Sequence, residues 1–395
     1  MAETQDTGRV DTTGPLRILH VMRAPVGGLF RHVVDLSRAQ AEAGHHVGIV
    51  ADGSTGGDRA RATLDDLAPL LTYGVTRFEM HRLPHPTDIA IAWRIARLIA
   101  QIAPHVVHGH GAKGGLYARL PAFLPGFAAG PRCVRIYTPH GGSLHYAPDR
   151  ISNRIVLFAE RALEQVTDFI PFESDFARRR FVEVVGLRHA QAAVVPNGLG
   201  PAEFEPLEAD ADAADFLYIG ELRAFKGVDT LLSALALIDA QSAHAPRLTL
   251  VGSGPDEAAL RALAAQFRPA GRVSFHPPMP AREALRLGRV VVAPSRAESL
   301  PYLVLEAIAA RLPVVATHVG GVPEIFGARA DMLPPCDDPP ALARAMRAAM
   351  ELAPDDRAAL TEALANDVRE RFDLSKMAAT VTDGYRAALA RLPRA

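Results

Sequence analysis

Short apolar, β-branched runs alternate along this chain with longer Ala- and Leu-rich stretches whose apolar positions recur at helical spacing. In the first half the strand-like runs are Arg17–Met22, His46–Val50, His105–His110 and Cys133–His140. Helical patterns fall between or after them, at Leu29–Ala43, Asp88–Ala103, Gly115–Phe123 and Asp149–Glu164. In the second half the strands are Asp215–Gly220, Arg247–Gly252, Arg272–His276, Arg289–Ser295 and Pro313–Thr317. Helices Val228–Leu237, Asp256–Gln266, Ala281–Leu287 and Leu300–Ala310 follow them. This alternation predicts βαβ units with parallel sheets covered on both faces. The expected fold class is α/β, with two Rossmann-like domains joined near Asn197–Phe216, where Pro, Gly and acidic residues interrupt the apolar pattern. Such domains facing across a cleft would line it with strand carboxyl ends, where open α/β sheets bind ligands.

Composition narrows the class without changing the fold. A length of 395 residues suits two ordinary domains, and 49% apolar with 22% charged residues is the balance of a soluble globular protein. The formal net charge of −1 gives no global field for nucleic acid, so any anion binding is local. Cys133 and Cys336 lie in separate halves without metal-ligand spacing, which predicts neither disulfide nor zinc and a reducing cytoplasm. Residues 1–15 lack the apolar stretch of a signal peptide and read as a disordered tail. The most membrane-like run, Ile89–Ala103, is broken by Arg94 and Arg97 and is too short to span a bilayer.

The stretch Ala297–Ala316 carries the first candidate chemistry. A buried strand runs into a loop with Glu298 and Ser299, then a helix from Leu300 with Pro301 suited to its first turn. Free N–H groups there, from Tyr302 and Leu303, form an anion site apt for a diphosphate. Glu298 is placed to accept hydrogen bonds from hydroxyl groups. Glu306, among apolar neighbours, needs donors that ribose hydroxyls would supply. The plain alternative is that Glu298 caps the helix dipole and Glu306 pairs with Arg296 or Arg311. In "YIGELRAFKGVDTLL", Arg223 and Lys226 stand at a strand end before Gly227, placed to grip two phosphoryl groups or simply to sit in solvent. The loop "VGSGP" after Gly252 lacks dinucleotide-fingerprint spacing.

Gly27 and Gly28 close the first strand, allowing either close approach of a ligand or only a tight turn. His108, His110 and His140 end later strands. Clustered histidines suggest a metal, yet none holds helical ligand spacing, and single strand-end histidines are commonly structural hydrogen-bonders. No metal site is expected.

In combination these motifs resemble the retaining GT-B glycosyltransferases of family 4 (glycosyltransferase group 1). The resemblance rests on the E-x7-E pair Glu298/Glu306 with "GGVPE" (Gly320–Glu324), on "GELRAFKGVDTLL", "VGSGP", "VVPNG", "GGLFRHVVDL" and "TPHGG", and covers nearly the whole chain beyond Pro15. It implies domains over 16–200 and 201–375, and a last helix within 376–395 crossing back onto the first domain. It implies a UDP- or GDP-sugar donor and no metal cofactor. Glu298 would contact the transferred sugar and Glu306 the ribose, while Arg223 and Lys226 hold the diphosphate. His140 would be the cleft histidine and Gly28 the close-approach glycine. The segment around His276 would recognise the base, and Gly252, Ser299, Leu300, Tyr302 and Leu303 would line the donor site. Three departures stand out: Glu221 where the family often has Arg, Ser299 where Gly is usual, and Pro301 removing one N–H. A carbohydrate or lipid-linked acceptor is implied. The Arg-rich segments 149–164 and 176–181 mark either a solvated face or a peripheral contact with the inner face of the plasma membrane. Rival functions are an inactive sugar-nucleotide-binding protein and a GT-B epimerase or phosphorylase. The chain lacks the Lys-rich pyridoxal-phosphate signature of the last.

Overall fold

The computed structural model describes residues 14–123, 133–141, 151–239, 245–267 and 271–392. The tail expected over residues 1–15 therefore lies, up to residue 13, outside the described residues, as do positions 149–150 of the expected fourth helix. The chain forms two compact units: one runs to Pro196 and takes in the chain from Leu374 onward, and the other is Asn197–Asp373. The second crossover falls where Leu199 N–H donates to the Phe372 carbonyl at 2.8 Å, tying both ends of the second unit together.

The first unit holds strands β1 (Arg17–Met22), β2 (His46–Asp52), β3 (Val75–Phe78), β4 (Val106–His110), β5 (Val134–Thr138), β6 (Phe169–Phe172) and β7 (Gln191–Val194). They form one parallel seven-stranded sheet in the order β3-β2-β1-β4-β5-β6-β7. The second unit holds β8 (Ala214–Ile219), β9 (Leu248–Val251), β10 (Val273–His276), β11 (Gly288–Ala293) and β12 (Val314–Ala316), a parallel sheet ordered β10-β9-β8-β11-β12. Both sheets reverse their winding once, between β1 and β4 and between β8 and β11. A crevice at the strand carboxyl ends forms where neighbouring loops leave in opposite directions.

The predicted strands all form: β1 with the bounds expected, β2 two residues longer, and the others shortened or shifted by a residue or two. Three others escape the pattern for physical reasons. β3 (VTRF) is an edge strand with no fully buried position, and β7 (QAAV) has no strong apolar side. β6 (FIPF) contains Pro171, which normally argues against a strand. It is accommodated because β6 meets β5 at one residue pair, Ile136 with Phe169, and runs its ladder on β7.

The membrane-like run is a core helix, Thr87–Ile102, burying Ile91, Ala92, Ile95, Ala96 and Ile99 while Arg94 and Arg97 face outward. Among the described residues no helix is long and apolar enough to cross a membrane. The last helix, Leu374–Leu389, packs Met377, Val381, Tyr385 and Leu389 into one core with Ile18, Val106, Ile136 and Phe169. Helix Pro354–Arg371 was not legible because its charges are spread around the cylinder, leaving only Thr361, Leu364, Ala365 and Val368 buried.

Candidate active site

At the β8–β11 switch point two loops converge. Residues 220–227 leave β8, and residues 294–301 leave β11 and enter helix Tyr302–Ala309. Gly227 has φ +68°, and a Cβ there would lie 2.0 Å from the Pro294 carbonyl oxygen, so only glycine lets the loops touch. Gly320 closes in from beyond β12: at φ +58°, its missing Cβ would fall 1.7 Å from the Glu298 carbonyl oxygen. Arg296 locks the frame, pairing through both terminal nitrogens with Asp229 at 2.8–2.9 Å and through Nε with Asp337 at 2.5 Å. Its backbone N–H donates to the Phe225 carbonyl at 2.8 Å. The hydrogen bonds from Arg296 hold Asp229 below the usual carboxylate range. Asn197 Nδ2–H, from "VVPNG", donates to the Leu300 carbonyl at 2.9 Å.

Inside this frame Lys226 Nζ lies 2.5 Å from Glu298 Oε1, which also accepts the Ser295 hydroxyl at 2.7 Å. Arg223 is held by Glu221, Nη2 to Oε1 at 2.6 Å. Each cation named for the diphosphate thus has a carboxylate beside it. Pro301 caps helix Tyr302–Ala309 in extended conformation instead of entering its first turn, leaving Tyr302 as the first helical residue. Tyr302 and Leu300 are buried, Ser299 and Leu303 half-buried. Glu306 is half-buried in the same helix. The two arginines weighed for it are committed elsewhere, Arg296 to Asp229 and Asp337, and Arg311 to Glu362 and the Phe204 carbonyl. Gly252 follows β9 and His276 ends the edge strand β10, where Gly252 N–H donates to the His276 carbonyl at 3.0 Å.

The β1–β4 switch point is built of imidazoles. His20 on β1 stands beside His108 on β4 in the ladder, with His110 two residues on. Helix Gly27–Glu42 adds His32 and Gln40, both buried. Gly27 opens that helix at φ +66° with open space around its missing Cβ, and Gly28 is exposed. His140 follows β5 in a left-handed turn, φ +50°, beside Gly141 at φ +75°. A bulky residue held there is a mark of constraint. His20 Nδ1 meets His110 Nε2 at 2.9 Å, and His110 Nδ1 meets His140 Nε2 at 3.1 Å. The His32 and His140 rings pack edge to face with centroids 4.6 Å apart. Burial lowers the His20 pKa to about 4 against the opposing Gln40 bond, and burial first of all holds His108, His110 and His140 well below the ordinary histidine range.

Sequence reasoning picked out His108, His110 and His140 one by one and missed His20, His32, Gln40 and Tyr385. The available signal was His20, one polar side chain inside an otherwise apolar strand. The ligand nitrogens of His20, His108 and His110 lie within 4.8 Å of one another, as do those of His32, His110 and His140. Neither trio includes a carboxylate to offset a dication, and several of their nitrogens are engaged with one another.

Two family models cover most of the chain: one described as Glycosyltransferase Family 4 over residues 26–203, the other as glycosyl transferases group 1 over residues 213–351. The chain belongs to the group 1, family 4 glycosyltransferases. This glycosyltransferase is 27% identical over 364 residues to a glycogen synthase of Mycobacterium tuberculosis, covering 82% of this chain and 86% of the relative. Its fold is similar to that of sucrose-phosphate synthase from Thermosynechococcus elongatus, with TM-score 0.76, 20% identity and coverage of 94% and 98%. It is also similar to Anabaena HepE solved with UDP-glucose, with TM-score 0.75, 16% identity and coverage of 93% and 98%. The GT-B class of two Rossmann-like parallel sheets is the one observed.

Proposed function

We propose that this glycosyltransferase moves a hexosyl unit from a UDP- or GDP-sugar to an acceptor hydroxyl with retention of configuration, in the synthesis of cell-surface polysaccharide or glycolipid. The observation that carries this reading is the Lys226–Glu298 pair, 2.5 Å apart at the β8–β11 switch point. It puts a cation for the leaving phosphate and a carboxylate for the transferred sugar side by side. Lys226, Arg223 and the N–H groups of Tyr302 and Leu303 stabilise the departing diphosphate as charge grows on it. Glu298 faces the sugar, Glu306 the ribose, and His140 a sugar hydroxyl. No carboxylate is assigned as a covalent nucleophile, so attack and departure share one face of the sugar. The HepE structure with UDP-glucose supports a UDP-sugar as the first donor to try.

Thermal stabilisation by a panel of UDP- and GDP-sugars, followed by NMR of the product's anomeric configuration, tests the reading. An inverted product would remove the retaining mechanism. We propose further that no metal is needed; activity lost to a chelator and restored by Mn²⁺ would overturn that. The Glu221–Arg223 pair favours one rival, a binder of sugar nucleotides without turnover, which would be stabilised by donor yet release no nucleotide with any acceptor.

The acceptor is proposed to be carbohydrate or lipid-linked, with the protein cytoplasmic and in peripheral contact with the inner membrane face. Exposed Ile155, Phe158 and Val182 support this contact. They lie on helices Ile151–Glu164 and Asp175–Val184, beside a hollow of about 590 Å³ lined by Phe158, Arg161, Val182 and Arg188.

A further inference from the structure

We infer that Gln40 is a positioning residue that sets the ring tautomer of His140 through His20 and His110, so that His140 carries its proton on Nε2 and offers Nδ1 as an acceptor to a sugar hydroxyl. The last clause rests on the role proposed above for His140.

The four side chains stand in single file. Gln40 Oε1 meets His20 Nε2 at 2.8 Å, His20 Nδ1 meets His110 Nε2 at 2.9 Å, and His110 Nδ1 meets His140 Nε2 at 3.1 Å. His20 and His110 are 0% and 1% exposed, so water cannot supply a missing donor or acceptor. A neutral imidazole has one donor and one acceptor nitrogen. In a file of neutral rings every bond must therefore run the same way, since a single reversal would set two donors or two lone pairs against each other. The direction is decided at the buried end. An amide oxygen only accepts, so His20 donates from Nε2 to Gln40, His110 from Nε2 to His20, and His140 from Nε2 to His110. Turning the amide over would move the proton to Nδ1 on all three rings at once.

Burial first of all raises the proton affinity of Tyr385, with Gln40 working against it, and Gln40 Nε2 is buried with no hydrogen-bond partner among the described residues. Tyr385 in turn meets His108 Nδ1 at 2.6 Å, and His108 Nε2 meets Thr138 Oγ1 at 2.8 Å. At the open end His140 is half-buried, and among the described residues its Nδ1 makes no hydrogen bond.

Nitrogen-15 NMR of the full-length protein, free of ligand and above neutral pH, reads the tautomers directly. His20, His110 and His140 are all expected with bare Nδ1 and protonated Nε2; a proton on Nδ1 of His140 would overturn the inference whatever the enzyme's substrate. In Gln40→Met, which keeps length but loses the acceptor, His140 should show both tautomers. The variant's kcat should then fall in proportion to the fraction of His140 left protonated on Nε2, about twofold for an even mixture, with donor KM moving less. Gln40→Glu, which keeps the acceptor, should restore the single tautomer. A His140 tautomer unchanged in Gln40→Met would show that the ring is set locally and end the role of Gln40. Mixed tautomers with unchanged kcat would instead refute the contact of His140 with the sugar. If Gln40→Met fails to fold, the wild-type and Gln40→Glu spectra still decide the direction.

Discussion

At the β8–β11 edge the polar groups are full charges in pairs, Lys226 with Glu298 and Arg223 with Glu221, their side chains between 14% and 44% exposed. At the β1–β4 edge they are neutral rings, with His20, His108 and His110 at or near zero exposure. Charges that keep some water can change partners when a ligand arrives, and such pairs add little to stability. Rings sealed from water cannot gain a proton without a large desolvation cost, so their hydrogen bonds stay in one order. One edge is proposed to trade contacts with a diphosphate; the other is a buried frame of neutral rings hydrogen-bonded to one another.

The largest expected effect follows from that frame. A histidine with folded pKa below its unfolded value binds fewer protons folded than unfolded. Its stabilisation is therefore present above the unfolded value of 6.5 and is lost as pH falls toward the folded one. For His20, at about 4 when folded, the loss reaches about 3 kcal/mol by pH 4, and the other buried histidines add to it. Hydrogen exchange on the intact chain should show β1 and β4 losing protection in mild acid before β8 and β11. The opposite order would break the contrast between the edges.

The next effect belongs to the charged edge. Glu298→Gln removes a charge proposed to lie beside the centre that turns cationic, so kcat at saturating donor should fall on the order of a hundredfold. Because Lys226 is released from its partner, affinity for bare nucleoside diphosphate should hold or rise. A variant that loses diphosphate affinity and keeps turnover would reverse the roles of the pair.

Lys226→Ala should weaken nucleoside diphosphate binding by about 1.5–3 kcal/mol in calorimetry, the range for a hydrogen bond to a charged group. Arg223→Ala should cost less, because Glu221 already holds that guanidinium. Equal losses would mean that Glu221 yields Arg223 freely and that the two cations act alike.

The smallest effect is expected at the arginine-rich face. Arg178 and Arg179 both pair with Asp175, and Arg180 with Glu183, which leaves a weak net field. Pelleting with anionic liposomes should be slight, fall with salt, and drop further in Phe158→Ser. Strong salt-insensitive pelleting would assign the contact to apolar insertion alone.

Strand–loop–helix context was enough to bring Lys226, Glu298 and the first turn of helix Tyr302–Ala309 to a sheet edge from the letters alone. The same reading left the histidines as separate strand ends. His20 and His110 are 90 residues apart, and no local pattern says that β1 and β4 lie side by side.

What the sequence by itself determined is what depends on neighbours along the chain. Apolar periodicity sets where a segment bends into helix or strand, and glycine or proline sets where it turns. Which side chains meet was decided only in the tertiary structure. Lys226 reaches Glu298 across 72 residues, and His108 reaches Tyr385 across 277, because crossover connections seat β8 against β11 and the last helix against β5 and β6. Parallel strands cannot pair through a tight turn, so each pairing spans a long loop whose closure is driven by burial of the whole sheet rather than by the residues that end up touching.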